Sequence, residues 1–149
     1  LSTEECLLLG IIQGSCTCQQ IVESLAALVA LRAWHQYWRT SRSVLKVRSD
    51  SIAALTITLR LKTTGRGTGI IAREMALDIA LSNYAPHVAE HVPGTNNLLC
   101  DALSRKFQPG VTFTVPAELS QVPQTLLPPR SEAYFSTAST VAPPTSQAK

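Results

Sequence analysis

The chain has 149 residues, of which 45% are apolar and 15% are charged, and its formal net charge is +3. This composition suits one domain with a hydrophobic core and excludes disorder of the whole chain. No apolar run reaches the roughly 18–20 residues needed to cross a bilayer, so we expect no membrane span and no membrane partner.

The predicted elements alternate between strands and helices. Short apolar or β-branched runs indicate strands, and longer stretches without internal proline indicate helices. In chain order, the pattern predicts a strand at 7–12, a helix at 19–38, a strand at 43–48, helices at 51–62 and 70–83, a strand at 87–92 and a helix at 96–107. A glycine-rich turn at 65–69 separates the second and third helices. This order predicts an α/β domain with a partly parallel sheet over residues 1–107.

The composition changes after residue 107. Residues 108–149 contain seven of the nine prolines and many Ser and Thr residues. Because proline removes a backbone donor and interrupts helices and sheets, we predict a Pro/Ser/Thr-rich linker or disordered tail over 108–149. A short alternating run at 111–115 allows one strand there.

The cysteine and charge patterns bear on compartment and partners. The four cysteines lack the paired spacing of a structural zinc site, so we expect free thiols in a reducing, intracellular compartment, either cytoplasmic or nuclear. Residues 19–107 hold eleven Lys or Arg residues against six acids, which weakly favours a polyanionic partner.

Three carboxylates lie at positions that suit a functional site. Glu23 is inside an apolar helix, Asp50 directly follows a predicted strand, and Asp101 is in the last predicted helix. If the three elements converge at one end of a sheet, the acids would form a cluster of hard oxygen ligands suited to Mg²⁺ or Mn²⁺. Each acid also has a structural interpretation: a solvent-facing helix residue, a helix cap, and a partner for Arg105, respectively.

The string His-Val-Pro-Gly-Thr-Asn-Asn-Leu-Leu-Cys-Asp-Ala-Leu-Ser-Arg at 91–105 resembles the closing motif of ribonuclease H domains in gypsy-type and related retroelement polyproteins. The stretch at 23–28, followed by Trp34, resembles the family's first helix, which carries its second catalytic acid. Residues 47–51 resemble the strand-to-helix junction that carries the third, and residues 73–76 are similar to the helix before the last strand. The resemblance covers roughly residues 5–107.

This resemblance implies a function. Family members cleave the RNA strand of RNA–DNA hybrids during reverse transcription, with four acids that hold two Mg²⁺ ions in the complete domain. It implies that Glu23, Asp50 and Asp101 are catalytic metal ligands. It also implies substrate-binding roles for Asn97, Arg48 and Ser51, an RNA–DNA hybrid as partner, and an upstream reverse transcriptase domain in the same polyprotein.

The sequence departs from the family pattern at its first acid. In the family this acid lies on the first strand, but the residues before the first long helix contain no Asp. We therefore expect a ribonuclease H-like mixed sheet flanked by helices, with the first strand or strands missing and weak or no activity in this chain. The alternatives are a catalytically degenerate module that binds nucleic acid or braces a polymerase domain, and a plain interaction domain with surface acids.

Overall fold

The computed structural model describes residues 1–38, 40, 42–82, 84–127, 130 and 134–136. Its architecture is mixed α/β, with helices grouped on a small parallel sheet. The helices are α1 (Thr3–Leu9), α2 (Gln19–Ala33), α3 (Ile52–Arg60), α4 (Arg66–Leu81) and α5 (Leu98–Ser104), and the strands are β1 (Ser43–Ser49) and β2 (Tyr84–His91). Single 3₁₀ turns occupy Cys16–Cys18, His35–Tyr37, Gly94–Asn96 and Ala117–Leu119.

The strand predicted at 7–12 is wrong, because α1 occupies the first half of this run and the second half forms no strand. The hydroxyl of Ser2 accepts a hydrogen bond from the Glu5 amide at 3.1 Å, and the Glu5 carboxylate accepts one from the Ser2 amide at 2.7 Å. This reciprocal capping box starts a helix. Gly10, with φ of 69°, ends it in the left-handed region that favours glycine.

The glycine-rich turn predicted at 65–69 is also wrong, because α4 begins at Arg66 and includes Gly67 and Gly69. A Cβ atom at position 67 would clash with the carbonyl oxygen of Leu9 and would crowd the side chain of Ile21. Glycine therefore allows α4 to approach α1 and α2 closely, which is a packing requirement rather than a turn requirement.

The sheet has two strands within the described residues. β1 pairs with β2 in parallel, with Val47 opposite Ala89 and Ser49 opposite His91. Along β1, alternate residues are half-buried and exposed, which places one face of the strand toward the helices. The predicted α/β class with a parallel strand pair is therefore confirmed, whereas a ribonuclease H-like topology stays a prediction.

The hydrophobic core lies among α1, α2 and α4. Its fully buried side chains include Leu9, Leu28, Ile71, Met75 and Phe135. Phe135 belongs to the proline-rich part of the chain, where the described residues contain no strand at 111–115. The division at residue 107 stays a prediction. Among the described helices, none is both long enough and apolar enough to cross a bilayer.

Candidate active site

A cavity of about 450 Å³ lies between α2 and β1. Residues of α2, β1 and α3 form most of its wall, and Cys100 of α5 reaches it as well. Its lining is largely apolar and consists of Glu23, Ala26, Ala27, Ala30, Leu31, Trp34, Trp38, Lys46, Val47, Arg48, Ser49, Ala54, Leu55, Thr58 and Cys100.

Glu23 is the acid that the fold places in the cavity wall. It is half-buried in the second turn of α2 and accepts a hydrogen bond from the side-chain amide of Gln19 at 2.9 Å. Ala27, Ala30 and Trp34 follow it at helical spacing and line the same cavity. The two alanines leave space beside the carboxylate, so a ligand could approach Glu23 from the β1 side.

Asp50 lies at the carboxyl end of β1 and is exposed. Its neighbour Ser49 lines the cavity, and the Ser49 hydroxyl accepts a hydrogen bond from the Ser51 amide at 3.0 Å. The Ser51 hydroxyl accepts a hydrogen bond from the Ala54 amide at 3.2 Å, which caps α3. Ser51 is buried, so the structure gives it a capping role, and its predicted contact with substrate stays a prediction.

Asp101 is held on the surface of α5. Its carboxylate receives hydrogen bonds from the Arg105 guanidinium at 3.0–3.2 Å, and 48% of its side chain is exposed. The hydrogen bond from Arg105 to Asp101 raises the pKa of Arg105. Asn97 is at the N-cap position of α5, where its carbonyl accepts from the Asp101 amide at 2.9 Å. The structural interpretation of Asp101 as a partner for Arg105 is therefore confirmed.

Basic side chains lie on the exposed face of the sheet. Lys46 forms an ion pair with Glu90 of β2, and Arg48 lies 3.6 Å from the same carboxylate. A hydrogen bond from Lys46 lowers the pKa of Glu90. This effect outweighs that of burial, which alone would raise the pKa. The pairing of Lys46 with Glu90 could not be predicted, because it depends on the strand register, which the sequence does not reveal.

The three elements converge on the cavity. Glu23, the residue before Asp50 and the residue before Asp101 all line it, whereas Asp50 and Asp101 themselves do not. Within the part of the chain that the structure describes, no three His, Cys, Asp or Glu residues are grouped to hold a metal ion. Metal binding by Glu23, Asp50 and Asp101 stays a prediction.

Comparisons with known proteins found no relative of the chain. No protein-family model, no curated protein and no solved structure matches the chain.

Proposed function

We propose that the chain is the ribonuclease H-type part of a retroelement reverse transcriptase and that it acts on the RNA strand of RNA–DNA hybrids. The observation that carries the proposal is the convergence of three elements on one cavity. Glu23 and the residues that precede Asp50 and Asp101 line it together, although the elements are far apart in sequence. The motif at 91–105 supports the same function.

The cavity follows the edge of β1 that faces away from β2. Four consecutive residues of β1, from Lys46 to Ser49, line it, and consecutive residues of a strand point to opposite faces. A cavity that touches all four therefore borders the strand's edge. Within the described residues, β1 pairs with no strand other than β2.

In this proposal a further strand fills the cavity and pairs with β1. Such a strand would carry the fourth carboxylate to the end of the sheet where Glu23 and Asp50 lie. Because the described residues contain no group of three acids around one point, we expect no cleavage until this strand is in place. Four acids gathered there would need Mg²⁺ or Mn²⁺ to offset their mutual repulsion.

The proposed partners are an RNA–DNA hybrid and the polymerase domain of the same polyprotein. Contacts to the RNA strand would come from Arg48, Ser51 and Asn97. Arg48 is exposed over 61% of its side chain, which leaves its guanidinium accessible to a phosphate. An intracellular setting fits the four cysteines, which are unpaired thiols in the structure.

A catalytically degenerate module is the second candidate, and a specific observation favours it. Asp101 already has a cationic partner in Arg105, and Asp50 is exposed to solvent. A domain with this arrangement would bind a hybrid or brace the polymerase without cleaving. For a degenerate module we expect hybrid binding that weakens steeply as the salt concentration rises and that is unchanged in Asp50→Asn.

One experiment separates the active nuclease from the degenerate module. It uses the chain with an added N-terminal segment, which supplies one further strand that carries an Asp. Cleavage of a labelled RNA strand in a hybrid is measured in Mg²⁺, with Asp50→Asn as the site variant. Glu118→Gln removes an exposed acid outside the site and serves as the matched control. We expect cleavage in the control and none in Asp50→Asn. Hybrid binding without cleavage by a folded protein would establish the degenerate module.

A further inference from the structure

Four residues of the proline-rich region contact the helices, and none of the four lines the cavity beside β1. We call Arg130 together with residues 134–136 the tail segment. Phe135 is 1% exposed and belongs to the same core cluster as Leu9 and Met75. An aromatic ring buries more apolar surface than most side chains, so Phe135 is the anchor of this contact.

Arg130 connects the tail segment to α1. Its guanidinium donates to both carboxylate oxygens of Glu5, and the Nη2–Oε2 distance is 3.2 Å. The Glu5 side chain is 5% exposed. Burial alone would raise the pKa of Glu5, but the hydrogen bonds from Arg130 and the Ser2 amide lower it overall. The bidentate geometry makes this contact specific for arginine.

Arg32 of α2 connects the tail segment to α4. Its guanidinium donates to the carbonyl of Tyr134 and lies 4.6 Å from the centre of the Tyr134 ring. The same guanidinium donates to Glu74 at 2.8 Å and to Asp78 at 2.6 and 2.9 Å. Ser136 donates to the Glu74 carboxylate at 3.3 Å. The surface between α1, α2 and α4 thus contacts a peptide carbonyl, an aromatic ring and a hydroxyl of the tail segment.

We propose that the surface between α1, α2 and α4 is a peptide-binding groove and that the tail segment is its intramolecular ligand. The groove recognises an arginine followed, four residues later, by two adjacent aromatic residues. Residues 120–127, which precede the segment, are all exposed, as expected for a tether. A cavity of about 80 Å³ remains between Arg32 and the tail segment, and Leu127 also lines it.

This site is independent of the proposed nuclease function. Glu5, Arg32, Glu74 and Asp78 do not line the cavity beside β1. The groove therefore provides a second interaction surface, which opens when the tail segment leaves.

The first test uses limited trypsin digestion of the wild-type chain. Docking protects the bond after Arg130, so cleavage there should be more than about tenfold slower than cleavage after Arg105 and Lys106. Phe135→Ala should remove most of this protection, whereas Leu126→Ala, which changes a side chain that is 86% exposed, should keep it. Equal cleavage rates at the two places in the wild-type chain would overturn the proposal.

The second test adds the ligand in trans. A fluorescent peptide with the sequence of residues 128–138 should bind the full chain carrying Phe135→Ala and should bind the wild-type chain at least about tenfold more weakly. The same peptide with alanine in place of Phe135 should not bind. No binding to a folded variant, or equal binding to both chains, would overturn the proposal.

Two further readouts cover the remaining outcomes. If Phe135→Ala abolishes folding, as judged by circular dichroism, Tyr134→Ala replaces it, since this side chain is half-buried. Binding of the fluorescent peptide to the Tyr134→Ala chain, compared with the wild-type chain, then tests the proposal by the same criteria. Light scattering of the wild-type chain should show a monomer. A dimer that dissociates in Phe135→Ala would show that the tail of a second copy fills the groove and would contradict intramolecular binding.

Discussion

Arg32→Met removes the guanidinium that joins α2 to α4 and to the tail segment. In the folded chain, the side chain of Glu74 is fully buried and that of Arg32 is 21% exposed. Removing one partner of a buried ion pair costs about 3–5 kcal/mol, whereas exposed pairs contribute about 1 kcal/mol or less. With one partner buried and the other a fifth exposed, we expect a loss of about 2–4 kcal/mol in the free energy of unfolding.

Urea unfolding at pH 7, followed by circular dichroism, measures this loss. In a chain of this size it corresponds to a fall in Tm of about 5–15 °C. Arg73→Met is the matched control, because Arg73 is exposed on the same helix as Glu74, and its effect should stay within about 0.5 kcal/mol.

A double variant tests whether the buried charge causes the loss. Arg32→Met combined with Glu74→Gln removes the cation and the more deeply buried of the two carboxylates that it faces, while Asp78, which is 21% exposed, stays. We expect this double variant to recover part of the stability lost in Arg32→Met, since a neutral amide is less costly to bury than a carboxylate. A loss in Arg32→Met no larger than that in Arg73→Met would refute the reasoning.

Three further predictions concern the tail contact and the cavity. Glu5→Gln should lose about 1.5–3 kcal/mol of stability at pH 7. Because the pKa of Glu5 is lowered on folding, this contribution exists above pH 4.5 and disappears as the pH falls, so wild type and variant should converge in acid unfolding curves. Ala30→Leu should cost less than about 1.5 kcal/mol, since the cavity can accept the larger side chain, and it should block strand addition in the completed protein. Asp101→Asn should change stability by less than about 1 kcal/mol, because its pair with Arg105 is exposed, while abolishing any metal-dependent cleavage.

The sequence was sufficient where local chemistry decides the structure. The β-branched run at 43–48 predicted β1, and the hydroxyl of Ser51 caps the helix expected after it. The strand expected at 87–92 appears as β2, which begins at Tyr84. These elements carry local signals of strand propensity and capping, although the pairing of β1 with β2 joins residues that are far apart in sequence.

Two elements were predicted wrongly for different reasons. The apolar run at 7–12 suggested a strand, but the capping box of Ser2 and Glu5, a local signal that the prediction missed, directs the first half of the run into α1. Gly67 suggested a turn, although it is needed for the approach of α4 to Leu9 and Ile21. Neither packing partner is near position 67 in sequence, so no local pattern could reveal the contact.

The tail contact and the candidate site show the same limit. Arg130 and Glu5 are 125 residues apart, and a proline-rich composition gives no sign of their pairing. The acids Glu23, Asp50 and Asp101 could be named from residue types and from the motif. Their elements converge on one cavity, and this placement follows from how the helices pack on the sheet.

The most direct test of the proposed function is the Mg²⁺-dependent cleavage of an RNA–DNA hybrid by the chain completed with an Asp-bearing strand. We predict cuts in the RNA strand of the hybrid, none in a DNA duplex of the same sequence, and loss of all cuts in Asp50→Asn. Cleavage that persists in Asp50→Asn, or equal cleavage of both duplexes, would contradict it.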